Sequence, residues 1–302
     1  MDLRDLKFGI EIETVGRTRR AVAEGIQAIV GGYVQHVGSP SSYDPYHVTA
    51  DDGRIWKVVA DASLNSVAKH LQAEVVSPIL TYADLPSVQQ IVRQLRTGVR
   101  AKINNQCGIH IHIDAANFSP KALGNLIKIV NKQEDLIVEA LGVNHDRLVR
   151  YSKKIKAELV NDIVRRRPQS IDHLNRLWYG YRNNNPTHYD STRYHGLNLH
   201  NVWYRGTVEF RYFEGTLHAG KIKSYIQFCM ALSAKAINAK GASAKKRNLS
   251  HQSSKYDFRV FLLSLGLIGL EFKTARHHLL SNLRGDIAWK NNLEREMYEA
   301  HT

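Results

Sequence analysis

Cysteine is nearly absent from the chain: Cys107 and Cys229 are the only two among 302 residues. Two thiols build no disulfide framework, and neither belongs to a C-x-x-C or other zinc spacing. A reducing, cytoplasmic setting is therefore the expectation. Long apolar runs are missing as well. None approaches the roughly 18 residues of a membrane span, and the apolar stretch from Val260 to Leu270 reads as a buried helix. The opening MDLRDLKFGIEIE is charged and runs straight into a strand-like segment, so no signal peptide is expected. There is no Walker loop and no Gly-x-Gly-x-x-Gly, which removes the two commonest glycine-rich phosphate cradles.

Acidic residues are outnumbered, 28 against 42 basic ones, for a net charge of +14. Such a balance favours polyanionic partners: nucleotides, nucleic acid or acidic substrates. The runs Arg165-Arg166-Arg167 and Lys245-Lys246-Arg247 are not interleaved with aromatics, so no motif supports DNA or RNA binding.

What is present is enough for a substantial core. Hydrophobic residues make up 43% of the chain, and the length suits one large domain or two small ones without staples. Alternation marks strands over Lys7–Thr14, Trp56–Ala60, Ala73–Ser77, Gly108–Asp114, Leu197–Leu199 and Thr207–Phe213. Helical spacing covers Thr18–Val30, Asp84–Arg100 and Lys221–Ala239, and Ser119 with Pro120 starts a long helix to about Leu141. Ser39–Gly53 reads as a loop, Trp178–Tyr194 as an ordered aromatic loop, and 240–255 as a flexible basic linker before two or three closing helices. Parallel strands buried on both sides read as continuous apolar runs. These strands instead keep one polar face each, which predicts an α+β fold with an antiparallel sheet and helices packed on one face.

The polar faces carry the functional signal. Residues two apart on a strand share a face. Glu11 and Glu13 therefore lie together, backed by Phe8, Ile10 and Ile12; His110, His112 and Asp114 lie together, backed by Ile109, Ile111 and Ile113; Glu209 and Arg211 do the same, backed by Val208, Phe210 and Tyr212. Glu74 opens a further strand. A solvated face is the ordinary explanation for one Glu-x-Glu, but solvated faces favour Lys, Thr and Ser rather than His-x-His-x-Asp. Gly108 before the histidines leaves room for close approach. Carboxylates gathered on one surface repel unless a cation neutralises them. A set rich in oxygen, with few imidazoles and no thiols, suits Mg²⁺ or Mn²⁺ better than Zn²⁺. Arg205 and Arg211 follow as bidentate clamps for phosphoryl oxygens.

The ordered segments Gly9-Ile10-Glu11-Ile12-Glu13, Trp56…Asp61-Ala62-Ser63-Leu64, Glu74-Val75-Val76-Ser77-Pro78, Cys107-Gly108-Ile109-His110-Ile111-His112-Ile113-Asp114 and Arg205-Gly206-Thr207-Val208-Glu209-Phe210-Arg211…Glu214-Gly215-Thr216 resemble the amidoligase family. That family belongs to the carboxylate–amine ligase superfamily, with glutamine synthetase and glutamate–cysteine ligase. The resemblance spans roughly Lys7 to Ala239. It implies a glutamine-synthetase-like curved sheet, ATP and Mg²⁺ as cofactors, and a carboxylate and an amine as substrates. It also implies metal ligands at Glu11, Glu13, Glu74, His112 and Glu209, with His110, His112, Ser63, Arg205 and Arg211 on the nucleotide. Asp61, Arg205 and Arg211 fall at catalytic positions, Asp61 orienting or deprotonating the amine. The catalytic domain is then 1–239, followed by the linker 240–255 and a helical extension 256–302 that matches nothing in the family. Homo-oligomerisation is left open.

Three rivals stand beside this reading. A guanidino-kinase-like enzyme would stop at phosphoryl transfer. A metal-dependent hydrolase would use His110-x-His112-x-Asp114, although the histidine that normally follows the aspartate is Ala115 here. A basic nucleic-acid-binding protein would explain the charge but not the carboxylates. The aromatic residues Trp178, Tyr179 and Tyr181, with Arg182, are candidates for stacking on adenine or gripping the acceptor.

Overall fold

The computed structural model describes residues 1–39 and 43–290. Its frame is one eight-stranded sheet: β1 (Phe8–Val15), β2 (Tyr33–His36), β3 (Tyr46–Thr49), β4 (Ile55–Val59), β5 (Gln72–Val76), β6 (Gly108–Asp114), β7 (Leu197–Asn198) and β8 (Thr207–Glu214). The strand order is β2-β3-β4-β5-β1-β6-β8-β7, and every neighbouring pair is antiparallel. The α+β expectation holds. The two strands richest in chemistry, β1 and β6, lie at the centre, where register is fixed from both sides.

Ten α-helices lie among the described residues: α1 (Arg19–Val30), α2 (Leu85–Thr97), α3 (Pro120–Leu141), α4 (His145–Arg150), α5 (Ala157–Arg166), α6 (Ile171–Tyr179), α7 (His200–Tyr204), α8 (Ala219–Asn238), α9 (Ser254–Ser264) and α10 (Lys273–Leu280). Thr18 caps α1 through the Ala21 amide, and Ser119 caps α3 through Ala122 with Pro120 in the first turn. Both satisfy an amide that the helix itself leaves unpaired. The apolar side of the sheet (Phe8, Ile10, Ile12, Ile109, Ile111, Ile113, Val208 and Phe210) joins α1, α2, α3 and α8 in one continuous core. That burial is what separates an oily face from an ionisable one along each strand.

Helices are not confined to the oily face. Arg147 of α4 and Asn201 of α7 reach side chains on the polar one. The stretch Ser39–Gly53 is not a plain loop either, since β3 lies within it; Pro40–Ser42 fall outside the described residues. With β2 and β3 only four residues long, and β2 largely exposed, neither is long enough to establish a period. Val260–Leu270 is helical only to Ser264; the chain turns at Gly266 and Gly269, which hold positive φ, and Ile268 and Leu270 face solvent. Trp178 and Tyr179 end α6 rather than beginning a loop, and the five-residue α7 was not legible in the sequence. The basic segment has no regular structure over 241–250. It lies along α3 through Ala244 O with Asn131, the Arg247 amide with Lys132 O, and Lys246 with Asp135. No helix among the described residues is long and apolar enough to cross a membrane.

Candidate active site

Strand register builds the site. Glu11 lies opposite His110, Glu13 opposite Glu74, and His112 opposite Glu209. Cross-strand partners share a face, so β5, β1, β6 and β8 deliver four carboxylates and two imidazoles to one surface. Asp61, from the loop after β4, joins Glu13 and Glu74. Three overlapping groups result: Glu11, His112 and Glu209; Glu11, Glu74 and His110; Glu13, Glu74 and Asp61. Within each, one ligand atom per residue lies within 4.8 Å of the others.

Arginines bound the row. Arg211 donates to Glu209 Oε1 at 2.6 Å and to the Tyr151 carbonyl at 3.4 Å. Arg205 reaches Glu11 Oε1 at 3.2 Å from a partly exposed position. Asn198 and Asn201 donate to Glu209 Oε2 at 2.6 and 2.7 Å, so both oxygens of that carboxylate are engaged. Register slips between Ile109 and Ile111 on the β6–β8 pair. The bulge sits beside Arg211, as bulges often do next to functional side chains.

Arg147 is the member that sequence reasoning missed. It is 4% exposed and donates only at long range, to Cys107 O and Arg211 O at 3.4 Å and to His110 Nε2 at 3.5 Å. Gly108 makes room for it: a Cβ there would lie 1.8 Å from Arg147 Nη2. The Gly108 amide in turn donates to Glu13 Oε2 at 2.6 Å. The glycine before the histidines was the available signal, but it pointed to a ligand rather than to a side chain from a helix 40 residues on. Asn198, Asn201 and Thr207, whose hydroxyl lies 3.0 Å from His112 Nδ1, carried no signal.

Other expected residues fall differently. Ser63 gives its backbone amide to Asp61 Oδ1 at 2.8 Å and joins none of the three groups. Asp114 caps the following turn through the Ala116 amide, so His-x-His-x-Asp does not assemble as a unit. Trp178 packs against His195, and Arg182 pairs with Asp172. Cys107 and Cys229 are buried free thiols, and burial pushes Cys107 up to about 11.

Burial and neighbouring charge divide the row. Burial opposes ionisation of Glu11, but the His112 and His110 rings outweigh it and hold the carboxyl well below the usual range. At Glu209 burial is likewise overcome, by Arg211 and the two imidazoles, bringing it to about 2. Glu13 is pushed up to about 8 by burial and by Asp61. Glu74 rises well above its ordinary value through burial and the charges of Glu11, Asp61 and Glu13. Burial, with Arg211, lowers His110 to about 4, whereas Glu11 and Glu209 outweigh burial at His112 and raise it. One end is therefore ionised and the other holds protons, as expected where carboxylates crowd without a cation.

The donor set fits a divalent cation. His112 Nε2 is buried without a hydrogen bond, although Glu11 Oε1 is 3.4 Å away. Oxygen donors predominate, which suits Mg²⁺ or Mn²⁺.

Residues 4–233 match the family described as "Putative amidoligase enzyme". The chain belongs to this family. Among solved structures it is similar to a bifunctional glutathione synthetase from Pasteurella multocida, at 13% identity and a TM-score of 0.39. The alignment covers 99% of this chain and 50% of that one, so this chain spans about half that protein's length. No curated protein matches the chain.

Proposed function

We propose that this protein joins a carboxylate to an amine at the expense of ATP, on a sheet of the glutamine-synthetase kind. The observation that carries the reading is the convergence of Glu11, Glu13, Glu74, Glu209, Asp61, His110 and His112 into overlapping cation-sized groups with Arg205 and Arg211 at the edge. A bound Mg²⁺ or Mn²⁺ would neutralise the phosphates and polarise the transferred phosphoryl group. Glu11, Glu13, Glu74, Glu209 and His112 would hold it. Arg205 and Arg211, with His110, His112 and the Ser63 turn, take the nucleotide. A substrate carboxylate oxygen attacks the γ-phosphorus and ADP departs, leaving an acyl phosphate. The amine nitrogen then attacks the acyl carbon, and the C–O bond breaks to release phosphate. Asp61, beside Glu13 and Glu74, orients the amine and accepts its proton. Positioning and charge neutralisation carry such chemistry, which is why it needs no nucleophilic side chain. The catalytic unit is 1–239; the linker 240–255 and the C-terminal helices buttress α3 and α8.

The test is a screen of amino acids and peptides for Mg²⁺-dependent ADP release, with mass spectrometry of the product. A product equal in mass to acid plus amine minus water supports the reading. A stable phosphorylated substrate without amide, or hydrolysis without ATP, overturns it.

A further inference from the structure

The chemistry above leaves unused the aromatic side chains at the exposed edge of the site. Tyr204 ends α7 and is 37% exposed. Its ring stacks on His200 with centroids 5.6 Å apart and planes 23° apart, and His188 meets it at 5.8 Å and 62°. The backing is buried and hydrogen-bonded: His200 is 1% exposed, and its Nδ1 lies 2.7 Å from the Tyr179 hydroxyl. Tyr179 itself packs against Trp203.

Arg205 connects this surface to the carboxylates. Its guanidinium carbon is 5.6 Å from the Tyr204 ring centre, and its Nη1 is 3.2 Å from Glu11 Oε1. One guanidinium thus spans from the ionised end of the row to an exposed aromatic face. Beside it Gly206 holds a positive φ, and a Cβ there would meet nothing within 4 Å, so the space is open.

We propose that Tyr204, backed by His200 and flanked by His188 and Arg205, is the platform on which the base of the bound nucleotide stacks. The inference rests on the ATP-dependent reading and adds where the base goes. With phosphates held near Glu11 and Arg205, Tyr204 offers an exposed aromatic face against the same guanidinium. Flat π faces and guanidinium planes are what a base stacks on, and an alanine in place of the stacking ring removes that face. Of Trp178, Tyr179, Tyr181 and Arg182, Tyr179 belongs to this surface as the backing of His200 and Tyr181 packs on Tyr179, whereas Trp178 packs on His195 and Arg182 pairs with Asp172.

Calorimetry with MgADP and with magnesium tripolyphosphate, on the full chain and its Tyr204→Ala and Tyr204→Phe variants, decides it. The platform predicts that Tyr204→Ala weakens MgADP about tenfold while tripolyphosphate binding is unchanged. Tyr204→Phe, which keeps the ring, should bind MgADP like the unsubstituted protein. Equal loss of both ligands in Tyr204→Ala would overturn the platform, because the ring would then be supporting Arg205. So would no loss of either. If the unsubstituted chain binds neither ligand, the ATP-dependent reading falls and the platform with it; if it binds tripolyphosphate as tightly as MgADP, only the platform falls.

Discussion

Glu209 and Glu13 sit on the same face of the sheet, 1% and 3% exposed, and yet differ in what neutralises them. Glu209 has a guanidinium at 2.6 Å and two amides on its second oxygen. Glu13 has one backbone amide, from Gly108, and shares its surroundings with Glu74 and Asp61. The first end of the site is complete within the protein. The second is completed by protons, and a divalent cation that displaces them gains access to ligands already in place. The difference teaches how a row of buried acids stays folded without metal: half of it is paired with arginine and histidine, and half stays neutral.

The comparison predicts unequal mutational costs. Arg211→Ala is the largest. It strands the buried Glu209 charge, and breaking a buried pair in this way costs about 3–5 kcal/mol. Urea unfolding should show a loss of that order; a loss under about 1 kcal/mol would mean that Asn198 and Asn201 suffice to neutralise Glu209.

The pH dependence of the metal-free protein comes next. The folded state holds protons on Glu13 and Glu74 at pH values where the unfolded chain has lost them. Stability therefore falls as pH rises wherever the native state binds more protons. Glu13 contributes stability that is fully present below the ordinary carboxylate range and is lost as pH approaches about 8, and Glu74, also raised, acts in the same direction. Glu209 and Glu11 act oppositely, losing their contribution only in strong acid, as pH falls towards about 2 for Glu209. Thermal unfolding with chelator, from pH 5.5 to about 8, should show declining Tm that saturating Mg²⁺ restores. A flat profile would mean that Glu13 and Glu74 are ionised without metal.

Glu13→Gln is the smallest effect on folding and the sharpest on function. The amide replaces a carboxyl that is already neutral, so Tm should stay within a few degrees or rise, while Mg²⁺-dependent ADP release is abolished. Unfolding of this variant would make Glu13 a structural residue.

The central part of this arrangement was readable in the sequence because strands impose a period of two. Glu11 and Glu13, His110 and His112, Glu209 and Arg211 each fall on one face by that rule alone. What alternation does not encode is which strands are neighbours, and the register opposing Glu11 to His110 and Glu13 to Glu74 came only with the sheet. Side chains contributed by short or irregular elements were invisible for a related reason. Arg147 belongs to a six-residue helix, and Asn198 and Asn201 to a two-residue strand and the turn of helix after it; none is long enough to show a period. The strand β2, at the sheet edge, and β3 beside it were lost because four residues are too few to establish a period. Aromatic richness around 178–194 was noticed, but the ring that lies beside Arg205 is Tyr204, outside that stretch.

Central to the proposed function are acids that exchange protons for a divalent ion. The most direct test is to titrate Mn²⁺ into the metal-free protein at pH 7 and measure, by calorimetry in buffers of different ionisation enthalpy, the protons released. The account predicts binding with release of about one to two protons, lost when Glu13 and Glu74 are both changed to Gln. Binding without proton release, or no Mn²⁺ binding at all, would contradict it.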